Sequence, residues 1–209
     1  MERVREMEDE LTLVRRAQEG DQRAFEELVR AYESKVYAIV LRWTGNREDA
    51  LDGAQEVFLR MFRFLSSFDC RSSFSTWIYR VAVNVCKDAA AKRARLQEQP
   101  LERDDGEGPY ETELPDARYE PEALYARQER AEALQKALAA LPEEHRAVIL
   151  LRDLRGLSYR EIGDVLDLEE GTVKSRIARA REKLRALLVE SGNFFDAPQS
   201  NITKGGRTE

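Results

Sequence analysis

Six basic side chains, Lys174, Arg176, Arg179, Arg181, Lys183 and Arg185, crowd the stretch from Gly171 to Arg185, against a single acid, Glu182. No nucleophile–base pair, metal-spaced ligand set or Gly-rich phosphate loop accompanies them. The chemistry they offer is therefore recognition. A guanidinium or ammonium group neutralises phosphate, and near a helix start it reaches base edges. In the same stretch Val173, Ile177, Ala180, Leu184 and Leu187 are spaced four, three, four and three, which is one inward helical face. Ser175, Ala178, Arg179 and Glu182 fall opposite it. Lys174, Arg181 and Arg185 flank one side, and Arg176 and Lys183 the other. Alone, this pattern also describes an amphipathic core helix with a solvated basic face.

The preceding residues favour DNA. Ser158 and Glu161 form an S-x-x-E capping box, which predicts a helix beginning at Tyr159. Ile162, Val165 and Leu166 give that helix its apolar side. Asp167 and Leu168 then stand where the chain must turn, and Asp tolerates a left-handed backbone. A second helix follows from about Glu170. Two short helices joined this tightly read as a helix-turn-helix, whose second helix enters the major groove.

A second candidate surface lies upstream. Phe74-Ser75-Thr76-Trp77-Ile78-Tyr79-Arg80 sets aromatics beside a base, and Asn84, Lys87, Lys92, Arg93 and Arg95 continue the polar side. Rings stack on unpaired bases while cations hold the backbone. Phe74, Trp77 and Val81, spaced three and four, fit core packing equally well. Tyr79, Arg80, Asn84 and Lys87 are harder to place in a core, although an Asn readily bonds its own backbone.

The elements that must carry these surfaces are all helical. Glu10–Glu19 reads as a short helix, ended by Gly20, with Asp21 capping the next. Phe25, Leu28, Tyr32, Val36, Ile39 and Trp43 mark a core-facing helix to about Thr44. A third helix runs from about Arg47 to Leu65, with Glu48 and Asp49 at its start, where the helix dipole favours acids. Its apolar side is Ala50, Ala54, Val57, Phe58, Met61 and Leu65. A fourth runs from about Phe74 to Arg95. Periodicity resumes over Leu124–Leu141; Pro142 opens a further helix, and the helix-turn-helix closes the set. No stretch alternates with period two, so the expected fold is all-α.

Charge divides the chain. Between Glu98 and Glu122 there are ten acids and two bases, an excess of −8 that outweighs the whole net charge of −6. Four of the six prolines lie in or beside that stretch, at Pro100, Pro109, Pro115 and Pro121. This composition predicts a flexible acidic linker. The expected organisation is a helical domain over 1–95, the linker over 96–127, a helix-turn-helix domain over 128–190 and a disordered tail over 191–209. The linker also predicts that the two domains move independently in the free protein. The remainder of the chain is slightly basic, as DNA binding requires. Cys70, Cys86 and the single His145 are too few for a disulfide framework or a zinc site, so no metal is expected. No apolar run reaches about 18 residues, and the charged start lacks a signal-peptide core. A cytoplasmic location is expected.

Four stretches together resemble the extracytoplasmic-function (ECF) sigma factors, the smallest branch of the sigma-70 family. GDQRAFEELVRAYESKVYAIV is similar to that family's first helices, and DALDGAQEVFLRMFRFL to its polymerase-binding segment. SSFSTWIYRVAVNVCKDAAAKRAR is similar to the element that opens and reads the −10 region. LPEEHRAVILLRDLRGLSYREIGDVLDLEEGTVKSRIARAREKLR resembles the −35-reading domain. They cover most of residues 18–188, in the family's order.

The resemblance implies roles that spacing alone does not. Asp49, Asp52, Gln55, Glu56, Phe58 and Leu59 would face core RNA polymerase. Asn84, with the loop Phe68–Ser73, would hold a base flipped from the −10 duplex, beside Trp77, Tyr79, Arg80 and Lys87. Thr172, Lys174, Ser175, Arg176 and Arg179 would contact the −35 element. The implied partners are core polymerase, promoter DNA (duplex at −35, single-stranded at −10) and an anti-sigma factor. No cofactor, small-molecule substrate or catalytic residue is implied, because the polymerase performs the chemistry. Gly53 stands where the family more often has an aliphatic residue. A mid-helix Gly costs about 1 kcal/mol relative to Ala, which would soften the polymerase-binding helix.

The competing reading is a stand-alone helix-turn-helix regulator with a sensing or dimerising N-terminal domain. Such a domain has no need of the aromatics and bases interleaved over Phe74–Arg95. An enzyme is the weakest reading, for want of any catalytic constellation.

Overall fold

The computed structural model describes residues 2–97 and 121–190, with side chains described for 10–95 and 128–190. No strand occurs among the described residues. The first unit contains α1 (Glu2–Gln18), α2 (Gln22–Thr44), α3 (Arg47–Phe64), a 3₁₀ turn over Leu65–Ser67 and α4 (Phe74–Gln97). The second contains α5 (Pro121–Ala140), α6 (Glu143–Ile149), a π-wound turn over Leu150–Leu154, α7 (Tyr159–Leu166) and α8 (Glu170–Glu190).

Local chemistry sets most boundaries. Gly20 takes φ 95°, and the Asp21 side chain then accepts from the backbone N–H groups of Arg23 and Ala24 to start α2. A hydrogen bond from Arg16, with those backbone donors, holds the Asp21 carboxyl below its usual range. At the other end Gly45 takes φ 84° and its N–H closes on the Leu41 carbonyl at 2.9 Å. Asn46 opens α3 by accepting from the Asp49 N–H at 2.8 Å. Two boundaries differ from the sequence expectation. Helix α1 starts at Glu2 rather than near Glu10. Helix α5 starts at Pro121, inside the expected linker, because proline suits a first helical position. The expected flexible linker otherwise falls on residues 98–120, and the expected tail on 191–209, both outside the described residues.

The core of the first unit gathers Leu28, Val36 and Ile39 from α2, Val57 and Met61 from α3, and Phe74 and Ile78 from α4, all essentially inaccessible. Tyr32, Phe68, Phe74 and Trp77 form a chain of ring contacts, with Phe74 and Trp77 stacked at 5.6 Å. Gly53 also takes part in this packing. A Cβ on it would lie 2.6 Å from Cγ1 of buried Val40. The glycine lets α3 approach α2 closely, so its local cost accompanies a packing requirement.

The two units are packed together, against the expectation of independent domains. Helix α7 lies on α4, and α2 meets α5 and the π-wound turn. The last carbonyls of α2 lack intrahelical partners, and the second unit supplies them. Gln135 Nε2 donates to the Arg42 carbonyl at 3.1 Å, and Arg146 Nη1 donates to the Trp43 carbonyl at 3.0 Å. The composition of the linker carries no information about these groups, which is why the expectation missed them.

Candidate nucleic-acid interface

The helix-turn-helix is built as its sequence dictates. Ser158 Oγ accepts from the Glu161 N–H at 3.2 Å, and Glu161 Oε2 accepts from the Ser158 N–H at 2.7 Å, completing the capping box. Asp167 takes the left-handed conformation at φ 56°, ψ 55°, ending α7. The turn also depends on Gly163, where a Cβ would lie 2.5 Å from the Leu168 carbonyl oxygen. Backbone cannot yield as a side chain does, so this position admits only glycine.

Val173, Ile177 and Ala180 seat α8 in the core. Thr172, Lys174, Ser175 and Arg179 are all exposed on its other side. Ser175 donates to the Thr172 carbonyl at 3.0 Å. Arg176 is different: it is half-buried and pairs with Glu144 at 3.2 Å. Arg181 is held by Asp153. Lys174 and Arg179 have no ion-pair partner among the described residues.

On α4 the expected residues divide. Asn84 is exposed and Lys87 half-exposed. Trp77 is half-buried against Phe68 and Phe74. Tyr79 is only 5% exposed, with its ring 6.1 Å from that of Tyr32. Burial raises its phenol pKa, while Arg155 of the second unit opposes that shift. The difficulty of placing Tyr79 in a core is thus resolved: α2 and the second unit together enclose it. Arg80 reaches across to donate to the Asp164 carbonyl of α7. The loop before α4 is organised by Ser73, whose hydroxyl meets those of Ser75 and Thr76 at 2.8 and 2.7 Å. Cys70, in that loop, takes φ 59°.

Helix α3 presents a mixed face. Asp52, Gln55 and Leu59 are exposed, and Phe58 is half-buried. Glu56 pairs with Arg60 at 2.7 Å, and Arg60 also holds Asp88 of α4 at 2.7 Å. Partial burial works against the Asp49 charge, but hydrogen bonds from Asn46 and Arg93 outweigh it and keep its carboxyl below the usual range. Sequence reasoning missed Leu51 and Phe62, which are 55% and 72% exposed. Phe62 meets Phe25 edge-on at 5.5 Å. The signal was available: Leu51, Gln55, Leu59 and Phe62, spaced four, four and three, form a second stripe beside the buried one.

Comparison with known proteins accounts for this arrangement. Residues 28–96 match the family model for sigma-70 region 2, and residues 131–184 that for sigma-70 region 4. The ECF RNA polymerase sigma-E factor of Escherichia coli is 40% identical over 184 residues, covering 85% of this chain and 95% of that protein. The chain belongs to the ECF sigma factors. The ECF sigma factor SigE of Mycolicibacterium smegmatis is 38% identical over 174 residues, which cover 82% of this chain and 65% of that longer protein. Among solved structures, CnrH in complex with the cytosolic domain of CnrY is 25% identical with a TM-score of 0.60, covering 86% of this chain and 96% of that one. Region 2 thus contains the aromatic and polar face of α4 and the mixed face of α3, and region 4 contains the helix-turn-helix. Among the described residues no helix is long and apolar enough to cross a membrane.

Proposed function

We propose that three faces of this sigma factor divide its work: α8 reads the −35 element, α4 with the Phe68–Ser73 loop holds the melted −10 strand, and α3 holds core polymerase. The chain directs core RNA polymerase to promoters and serves transcription initiation. The stand-alone regulator reading loses its support, because residues 28–96 match sigma-70 region 2 alongside the region 4 match over 131–184. The observation that carries the division is the free polar side of α8. Lys174 and Arg179 are exposed next to Thr172 and Ser175 on a helix whose other side is buried, as a helix entering the major groove requires.

On α4, Asn84 supplies a donor and an acceptor for a base edge, and Lys87 a phosphate contact. On α3, Asp52, Gln55 and Leu59 with the missed Leu51 and Phe62 form a docking face, polar at its edge and apolar along its middle. Asp49 and Glu56 stand beside it within ion pairs of their own. No residue is assigned a catalytic role, the polymerase supplying the chemistry. An anti-sigma factor completes the partners that family membership brings. Gel filtration with core polymerase tests the assembly step. Co-elution of the wild-type chain, and its loss in Asp52→Lys/Phe62→Ala with unchanged circular dichroism, is the expected result. Undiminished co-elution of that variant would remove α3 from the interface.

A further inference from the structure

Arg60 belongs to none of the three faces, yet it is bonded to a residue beside each of two. It is half-buried on α3. Its Nε donates to Glu56 Oε1 at 2.7 Å, and its Nη1 donates to Asp88 Oδ2, also at 2.7 Å. Both lengths are those of charge-assisted bonds. Glu56 stands one turn back on α3, beside the docking face. Asp88 stands on α4, next to Lys87 and four residues after Asn84. Residues three and four apart are neighbours on a helix surface, so Asp88 shares the strand-receiving face with Asn84 and Lys87. It is exposed there.

A carboxylate at that position works against the face. A single strand brings phosphates, and a surface that tracks its backbone is positive. Asn84 carries no charge, and the charge of Lys87 is offset by its acidic neighbour. Arg60 is the ion-pair partner that Asp88 has among the described residues. Its neutralising effect is shared, however. One guanidinium faces two carboxylates, Glu56 and Asp88, so the three groups keep one negative charge between them. A cation of another protein meeting Glu56 supplies the missing positive charge and leaves Arg60 to Asp88.

We infer that Arg60 is a positioning residue for strand capture: it neutralises Asp88 on the strand face of α4, and it divides its charge with Glu56 so that polymerase contact at Glu56 hands Arg60 over to Asp88. The strand face thus loses its residual negative charge when α3 is engaged. Two surfaces on different helices are thereby linked through one side chain, with no movement of backbone. This rests on the proposed roles of α3 and α4. A plain clamp between the two helices makes a different prediction, because it needs both of its halves, whereas a neutralising group is dispensable once the acid it neutralises is gone.

The test uses the full chain with Arg60→Met, Asp88→Asn, Glu56→Gln and their pairs, and melting temperature as a control on folding. The probe is a short fluorescent non-template strand spanning the −10 region of a start site mapped with the wild-type holoenzyme. It is titrated into the free chain, where Asn84 is exposed, and into holoenzyme at saturating core polymerase. In holoenzyme, Arg60→Met is expected to weaken strand binding about fivefold, and Arg60→Met/Asp88→Asn to return it to within about twofold of wild type, the scale set by partly exposed charges. In the free chain, Asp88→Asn and Glu56→Gln are each expected to tighten strand binding about threefold, Glu56→Gln only while Arg60 is present. Arg60→Met with wild-type strand binding would overturn the role of Arg60, and so would a double variant as weak as Arg60→Met, which is the result a clamp gives. Equal tightening by Glu56→Gln with and without Arg60 would overturn the handover. Where Arg60→Met also lowers the melting temperature, Asp88→Asn decides, and no tightening in the free chain overturns the proposal. Failure of the underlying readings shows separately: Asn84→Ala would bind the strand as wild type does, or Glu56→Lys would leave affinity for core polymerase unaltered.

Discussion

At the scale of single residues, exposure separates side chains that the sequence presents alike. Lys174, Arg176 and Arg179 look equivalent in a basic helix, yet Arg176 is half-buried and paired with Glu144 while the other two are exposed. Replacing Lys174 or Arg179 by Ala is expected to cost about 1–3 kcal/mol on a matched −35 site if the contact is bidentate to a base. Fluorescence anisotropy on matched and scrambled duplexes checks this. An equal loss on both would assign the residue to phosphate alone. Arg176→Ala is expected to lower thermal stability more than it lowers specificity. Asn84→Ala is expected to impair transcription strongly from a duplex promoter and less from one with a pre-melted −10 bubble, because flipping a base costs about a few kcal/mol. An equal defect on both templates would make Asn84 a general binding or folding residue. The two glycines give a further pair of outcomes. In Gly163→Ala the new methyl meets the Leu168 carbonyl oxygen at 2.5 Å, so chemical denaturation should show region 4 destabilised and −35 binding lost. In Gly53→Ala the gain in helix propensity of about 1 kcal/mol opposes overpacking against Val40, which typically costs about 1–3 kcal/mol. A net loss of stability is expected, and a net gain would show that Val40 can move aside.

At the scale of elements, the sequence was most legible where local chemistry decides alone. The capping box at Ser158, the left-handed turn at Asp167 and the Asp21 cap all fall where their residue types require. The four-three spacing in α8 marks its buried face correctly. What was illegible depended on partners distant in sequence. Nothing in the sequence neighbourhood of Gly53 or Gly163 says that Val40 or the Leu168 carbonyl will come so close. Tyr79 looks like a surface residue beside Arg80 until Tyr32 and region 4 close on it. On α3 the buried stripe drew attention from the second stripe, although both share the same period. Leu59→Ser/Phe62→Ser is therefore expected to weaken assembly with core polymerase at least tenfold, read by competition against a labelled wild-type chain, with little change in melting temperature because both side chains are exposed. A large fall in melting temperature would instead place that stripe in the fold's own packing.

At the scale of the whole molecule, two helical regions are joined by an acidic stretch and packed on each other at the end of α2. The division into regions was legible from composition, because a stretch holding ten acids and four prolines interrupts two apolar periodicities. Their closure was not, because it depends on backbone carbonyls at a helix end, which every sequence has and none advertises. The account's central claim is that these faces act together only with core polymerase, to start transcription at chosen sites. The most direct measurement is transcription in vitro on fragmented genomic DNA of the source cell, with core polymerase alone and with this chain added, followed by mapping of RNA 5′ ends. The account predicts discrete starts that depend on the added chain, share paired −35 and −10 sequences at fixed spacing, and disappear when Asn84 or Lys174 with Arg179 is replaced by Ala. Starts identical to those of core polymerase alone, or selective binding to the same fragments without polymerase and no new transcripts, would contradict it.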